Sequence, residues 1–199
     1  MKSLKFIFAI LVLGSIANSA IADDGVPSGK YLLDTTHSYI IFSYSHIEFS
    51  NPILRFRKFK GELNYDDKNI ENSNVSVTID AATIDGGFDK FNEDLRAEDL
   101  FNTAKYPEIT FKSNSYKPGA DSSQKGKLHG ILTVKGNSQP VSLDVTFNKA
   151  APNPFSKVPV VGFSAEGAFS RTAFGVDKYA PVVGDNITLN IEVEFALEQ

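Results

Sequence analysis

The sequence predicts an all-β protein folded as a single antiparallel β-barrel of about eight strands. Apolar and polar residues alternate strictly over 75–80, 141–147 and 187–195, which places every second side chain on one face of a sheet. Turn-forming residues separate the strand-like segments along the chain. A sheet of about eight strands can close into a barrel that holds a small ligand. The remaining strand-like segments are 39–44, 56–63, 109–113, 128–134 and 161–169.

One segment, 85–106, departs from the strand pattern. It is rich in charged residues, and its large apolar residues recur at roughly helical spacing, which predicts one or two short helices. A connection of this length in a compact domain is often a lid or a binding loop. The other interpretation is a helix that merely plugs one end of the barrel, and the sequence leaves both open. The apolar residues concerned are Phe88, Phe91, Leu95, Leu100 and Phe101.

The N-terminus has the three parts of a secretory signal peptide. Lys2 and Lys5 supply positive charge, residues 6–16 form a short apolar run, and 20–22 are small residues suited to a signal peptidase. We therefore expect cleavage after Ala22, leaving one barrel domain over 23–199. No later stretch approaches the roughly 20 apolar residues of a membrane-spanning helix, so no stable membrane insertion is expected.

Composition narrows the range of functions further. Removal of Lys2 and Lys5 would change the formal net charge from −4 to −6, and such an acidic chain lacks the basic surface that binds nucleic acid. The chain has no cysteine, which excludes disulfides, thiolate metal sites and thiol nucleophiles. A secreted domain without disulfides suits the periplasm of a Gram-negative bacterium.

The interior of the predicted barrel is either a ligand-holding lumen or a core filled by its own side chains. Segments 39–44 and 53–59 carry large apolar residues in both phases, so both faces of these strands are expected to be covered. The 16 Phe and 7 Tyr suit a site that holds a long apolar molecule through contact area. Rings also fill small barrels, and composition does not separate the two cases.

Few residues have the pattern of a reaction centre. The three histidines, His37, His46 and His129, form no closely spaced pair, so no metal site and no cofactor is expected. No nucleophile or phosphate-binding motif is present, so we do not expect an enzyme. His46 either bonds a polar head group at the barrel mouth or is an ordinary strand-end residue. Arg171 either pairs with an anionic head group or closes the barrel by bonding backbone carbonyls or a carboxylate.

Several segments, taken in order from about Tyr31 to Glu198, resemble the YceI-like family. That family comprises periplasmic polyisoprenoid-binding proteins with a lipocalin-like barrel, so the resemblance implies an extended isoprenoid, perhaps a quinone or a prenyl diphosphate, in the lumen. No single segment is diagnostic, but their order is specific. The matching segments are 33–38, 42–46, 56–63, 77–85, 106–113, 130–136 with Pro140 and Val141, 170–175 and 183–185.

The chain departs from the family pattern inside 85–106. The family usually has Arg-Asp-x-His-Leu there, whereas this chain has Phe91-Asn92-Glu93-Asp94-Leu95. A ring and a carboxylate replace the positive and imidazole groups. If those groups normally neighbour a ligand's polar end, this chain prefers a different or less anionic head group.

Together these observations predict a periplasmic protein that binds or carries an isoprenoid-type lipid, with a possible homodimer. The alternatives are an accessory enzyme or electron-transfer partner acting on a bound quinone, and a stress-related structural protein with a filled barrel. The predicted ligand-binding residues are Phe42, Tyr44, His46, Phe59, Phe111, Phe163, Arg171 and Phe174.

Overall fold

The computed structural model of the protein describes residues 25–120 and 122–199. The predicted signal peptide, 1–22, lies outside the described residues. The elements are β1 (Gly29–Leu33), β2 (Tyr39–Tyr44), β3 (Ile53–Phe56), β4 (Phe59–Tyr65), β5 (Asn74–Asp80), β6 (Ile84–Asp85), α1 (Asp89–Arg96), β7 (Glu108–Gly119), β8 (Ser122–Val134), β9 (Asn137–Pro152), β10 (Pro159–Ser170) and β11 (Asn186–Leu197), with short 3-10 turns at Ile70–Asn72, Ala81–Thr83 and Thr172–Phe174.

The strands form one antiparallel sheet that closes on itself. The ring runs β1, β4, β5, β7, β8, β9, β10 and β11, and it is closed by the pairing of β1 with β11. The closing register joins Leu33 to Phe195 and Tyr31 to Leu197. Neighbours in sequence are mostly neighbours in space, as in an up-and-down barrel.

Three of the eight strands around the barrel are each broken into two pieces. β1 and β2 lie end to end along β11, since Leu33 pairs with Phe195 and Phe42 pairs with Leu189. β4 and β3 pair with β1 and β2, and β5 and β6 pair in turn with β4 and β3. The breaks explain how eleven hydrogen-bonded strands give an eight-stranded barrel, and the predicted fold class is confirmed.

The predicted strands are found, but three of them are longer than expected: β7 covers Glu108–Gly119, β8 covers Ser122–Val134 and β9 covers Asn137–Pro152, against the predicted 109–113, 128–134 and 141–147. Two further differences concern β3, β4 and β1. The predicted strand 56–63 is interrupted, because β3 ends at Phe56 and β4 begins at Phe59. β1 was not predicted, since five residues offer too short a pattern to recognise. One helix, α1, lies in the 85–106 connection as expected.

The outer face of β2 and β3 contradicts one expectation. Ile40 and Phe42 point into the barrel and are buried, but Tyr39 is 49% exposed and Ile53 is 70% exposed. The expected cover over this outer face is therefore incomplete, because the connection 86–107 packs over the end of the barrel interior and leaves these side chains in solvent.

The end of the barrel farther from α1 is packed with the protein's own side chains. Tyr31, Val161 and Phe195 are fully buried there, and the Tyr31 hydroxyl donates to the Pro27 carbonyl at 2.6 Å. Burial is the main cause that raises the pKa of Tyr31 to about 12. Phe147 and Phe163 meet edge to face at 5.8 Å between ring centroids. At this end the filled-core interpretation is correct.

A buried carboxylate fixes the start of the 86–107 connection. Asp85 accepts from the Gly87 backbone N–H at 2.9 Å, from Arg57 at 2.7 and 2.9 Å and from Arg55 at 3.1 Å. These bonds, that from Gly87 first and that from Arg57 next, outweigh burial and hold the pKa of Asp85 well below its usual range. The carboxylate thereby joins β3 and β6 to the loop that leads into α1.

We predict that Asp85→Asn lowers the free energy of unfolding by about 2 kcal/mol at neutral pH, because charge-assisted hydrogen bonds are lost. The measurement is urea unfolding of both proteins. Since the pKa is lowered on folding, this contribution is present above the unfolded pKa of about 3.9 and is lost as pH falls toward the folded value. The stability gap between the two proteins should therefore narrow in acid.

The matched control is Asp144→Asn, which removes an exposed ion pair with Lys127 on the outer face of β8 and β9. Exposed pairs contribute little, so this variant should unfold like the wild type. Equal stability of the Asp85 and Asp144 variants would contradict the role given to Asp85.

Candidate functional site

The end of the barrel beneath α1 contains a partly open cavity of about 440 Å³. This volume falls within the range of small-molecule sites, roughly 300–1,000 Å³. Most of the lining is aliphatic or aromatic and comes from the inward-facing positions of the strands. The filled-core alternative is therefore wrong for this half of the barrel. Strand residues in the lining include Ile40, Leu54, Val77, Ile109, Leu132, Val141, Ile187 and Leu189.

Six of the eight predicted site residues line this cavity: Phe42, Tyr44, His46, Phe111, Arg171 and Phe174. The strand register explains why the rings meet, since Phe42 lies between Leu189 on β11 and Leu54 on β3. The Phe42 ring stacks on Phe56 at 5.5 Å between centroids. Whether these residues contact a ligand remains a prediction.

The other two predicted residues lie deeper in the barrel. Phe59 and Phe163 have the inward phase expected of them, since Phe59 pairs with Ile79 and Phe163 pairs with Val193. Both pack against the apolar cluster at the far end and are outside the cavity lining. Neither ring lines the cavity, and their ligand-binding role remains a prediction.

The connection 86–107 covers the cavity, and sequence reasoning did not include its residues in the binding set. Leu95 is buried, and the Phe101 ring meets Phe56 edge to face at 6.2 Å. Phe88 instead points into solvent. The helical spacing noted in the sequence was the signal for these contacts. The lining residues from the connection are Phe91, Asp94, Leu95, Leu100 and Phe101.

Arg171 is buried, and backbone carbonyls occupy its guanidinium group. Nε donates to Gly184 at 2.9 Å, Nη1 donates to Val176 at 2.6 Å and to Lys178 at 3.0 Å, and Nη2 donates to Val183 at 2.8 Å. Four of its five N–H groups are thus used. The geometry matches the barrel-closing interpretation, and it leaves too few donors for bidentate pairing with an anion.

Charged residues at the mouth form pairs with one another. Lys178 forms a salt bridge with Asp99, and this hydrogen bond raises the pKa of Lys178 and lowers that of Asp99. Lys90 pairs with Asp94 at 3.0 Å along α1. The first pair joins the loop 175–185 to the segment after α1, so both loops that cover the cavity are tied together.

The polar residues Tyr44 and His46 lie at different depths. His46 is exposed at the rim, whereas Tyr44 is half-buried and packs against the apolar cluster around the cavity. Burial raises the pKa of Tyr44, and the nearby Arg171 charge offsets part of that rise. Tyr44 is therefore a neutral hydroxyl at physiological pH.

One group with metal-ligand chemistry lies outside the cavity. Potential ligand atoms of Asp34, His37 and Glu194 are within 4.8 Å of one another. Burial acts to raise the pKa of Asp34, but hydrogen bonds from Thr36 and His37 lower it to about 2. His37 Nδ1 lies 2.8 Å from Asp34. These bonds account for the cluster as a polar turn between β1 and β2.

No helix within the described residues has the length and apolar character needed to cross a membrane.

The bonding of Arg171 predicts a structural role. Arg171→Ala leaves buried carbonyls without donors, so we expect unfolding free energy to fall by about 3 kcal/mol. Arg171→Lys supplies at most three donors, so its free energy of unfolding should lie between those of the wild type and Arg171→Ala. Urea unfolding measures both. A stable Arg171→Ala protein that had lost only ligand binding would instead make Arg171 a ligand contact.

Comparison with known proteins is consistent with this architecture. The YceI-like domain model matches residues 31–195. The chain is 31% identical to Protein YceI of Escherichia coli O6:H1 over 180 residues, covering 89% of each chain. The crystal structure of a Campylobacter jejuni YCEI protein superimposes with a TM-score of 0.69 at 28% identity, over 76% of this chain and 88% of that one. A polyisoprenoid binding domain from Saccharophagus degradans shares the fold, with a TM-score of 0.64 at 14% identity over 84% of this chain and 98% of that one. The resemblance read from the sequence motifs is thereby confirmed, and the chain belongs to the YceI-like family.

Proposed function

We propose that the protein is a periplasmic binding or carrier protein that holds an extended apolar lipid of the isoprenoid type in its barrel lumen. The observation that carries the proposal is the partly open cavity of about 440 Å³ with a predominantly apolar lining. Membership of the YceI-like family and the shared fold of a polyisoprenoid binding domain support the same ligand class.

The cavity supplies affinity through apolar contact area. Burial of one methylene group contributes about 0.8 kcal/mol, so about ten such groups correspond to roughly 8 kcal/mol before the cost of association is subtracted. Because this cost takes up much of the gross figure, tight binding requires that most of an extended chain be buried in the cavity.

The polar residues of the lining support binding without catalysis. Arg171 and Lys178 hold backbone carbonyls and Asp99, so both serve to position the loops at the mouth. Periplasmic localisation rests on the expected signal peptide and the family resemblance. A homodimer remains a prediction from the sequence.

A lipid co-purified with the protein is the direct test. We expect native mass spectrometry of protein secreted in a Gram-negative host to show an added mass of several hundred daltons. A double variant, Leu132→Trp with Leu189→Trp, places two large rings on opposite walls of the cavity and should abolish that added mass.

The control places the same rings outside the barrel. Ile131 and Thr188 are the neighbouring residues that face outward, so Ile131→Trp with Thr188→Trp should retain the bound lipid. Circular dichroism and urea unfolding establish that both variants fold. Lipid-free wild-type protein after gentle purification, or retention of lipid by the cavity variant, would contradict the proposal.

A further inference from the structure

Building on the proposed function, we infer that the cavity selects a lipid with an uncharged polar end, such as an alcohol or a quinone, whose oxygen bonds the Tyr44 hydroxyl. The polar residues of the lining differ in how far their hydrogen-bonding groups are already used within the protein.

The two cations in the lining are engaged by the protein. The Arg171 guanidinium gives four of its five N–H groups to carbonyls of Gly184, Val176, Lys178 and Val183. The Lys178 ammonium pairs with Asp99 and lies 4.9 Å from the centre of the Tyr179 ring. An anionic head group would gain few hydrogen bonds from either cation unless it displaced these partners, and the charges of Lys178 and Arg171 are already opposed by Asp99 and Asp185.

Carboxylates near the mouth add a further cost for an anion. Asp94 lines the cavity at the position where the family pattern has histidine, and Asp99 lies on the segment that follows α1. A diphosphate carries several negative charges, and the cations beside these carboxylates, Lys90 and Lys178, are already paired with them, so the diphosphate would lack a counter-charge of its own. The mouth is therefore better matched to a neutral group.

Tyr44 supplies the contact that a neutral head group requires. It lines the cavity at the end of β2, opposite Ile187 on β11 and close to Arg171. Within residues 25–120 and 122–199, its hydroxyl has no hydrogen-bond partner. By contrast, Ser142 bonds His129 at 2.7 Å, and His46 lies farther out at the exposed rim. Tyr44 is thus a half-buried donor and acceptor at the boundary between the apolar cavity and the polar mouth.

The experiment compares three probes that share one chain: farnesol, farnesyl diphosphate and the hydrocarbon farnesene. Binding to the mature, lipid-stripped protein is measured by isothermal titration calorimetry. We expect farnesol to bind at least tenfold more tightly than farnesyl diphosphate. Tyr44→Phe should weaken the binding of farnesol about fivefold, because one hydrogen bond is lost, and should leave the binding of farnesene unchanged.

Two matched controls isolate the cause. Tyr39→Phe, on the same strand but facing outward, should leave farnesol binding unchanged. Asp99→Asn removes the ion-pair partner of Lys178 and should strengthen the binding of farnesyl diphosphate severalfold. Asp144→Asn on the outer face should leave that binding unchanged.

Two results would overturn the inference while leaving the carrier proposal intact. The first is farnesyl diphosphate binding as tightly as farnesol. The second is Tyr44→Phe weakening farnesene as much as farnesol, which would make Tyr44 a packing residue. Failure of all three probes to bind the wild-type protein would instead overturn the proposed function itself, and retained farnesene binding shows that the Tyr44 variant is folded.

Discussion

The closing ladder between β1 and β11 is the interaction on which the rest of the structure depends. β11 pairs with β10 on one side and with β1 and β2 in succession on the other, so one strand completes the ring. A closed barrel satisfies its backbone groups within the sheet and leaves no edge exposed along the ring. Because the ladder, and not a solid core, holds the wall in place, the interior at one end can remain open.

The interior is divided along the barrel axis into a packed part and a hollow part. Tyr31, Val161 and Phe195 fill one end, with Phe59 and Phe163 packed against that cluster. This end provides the core that a chain without disulfides needs. The other end gives up part of that burial, and its cavity is a region where the protein alone makes fewer packing contacts. A bound apolar chain restores those contacts, which is the physical link between the fold and the proposed function.

Polar residues around the cavity act mainly on the loops that cover it. Asp85 fixes the start of the 86–107 connection through Gly87 and two arginines, and Arg171 gathers four carbonyls of the loop 175–185 and its flanks. Lys178 and Asp99 join the two covering segments. Each of these groups bonds other groups of the protein, so the surface that faces a ligand is mainly apolar although charged residues surround it.

The sequence predicted which face a residue occupies better than how deep along the barrel it lies. Phe42, Phe59, Phe111 and Phe163 all face inward as predicted, although segments 39–44 and 53–59 carry apolar residues in both phases and do not fix the phase by themselves. Apolar residues continue from the packed end to the cavity, so the sequence does not mark the boundary between the two. Boundaries depend on the register between strands distant in sequence, which one chain segment does not encode. The sequence also did not show which groups Arg171 bonds, because its partners are backbone carbonyls of a loop and carry no side-chain pattern.

The departure from the family pattern in α1 changes the side chains at the mouth without altering the barrel. Phe91 and Asp94 both line the cavity, so a ring and a carboxylate stand where arginine and histidine are usual. Leu95, which matches the family pattern, is buried against the same apolar cluster and keeps the helix in place. The helix therefore separates two tasks along its length. Leu95 covers the lumen, while Phe91 and Asp94 replace the family's charged and imidazole groups at the mouth, so the wall keeps its apolar chemistry while the entrance differs.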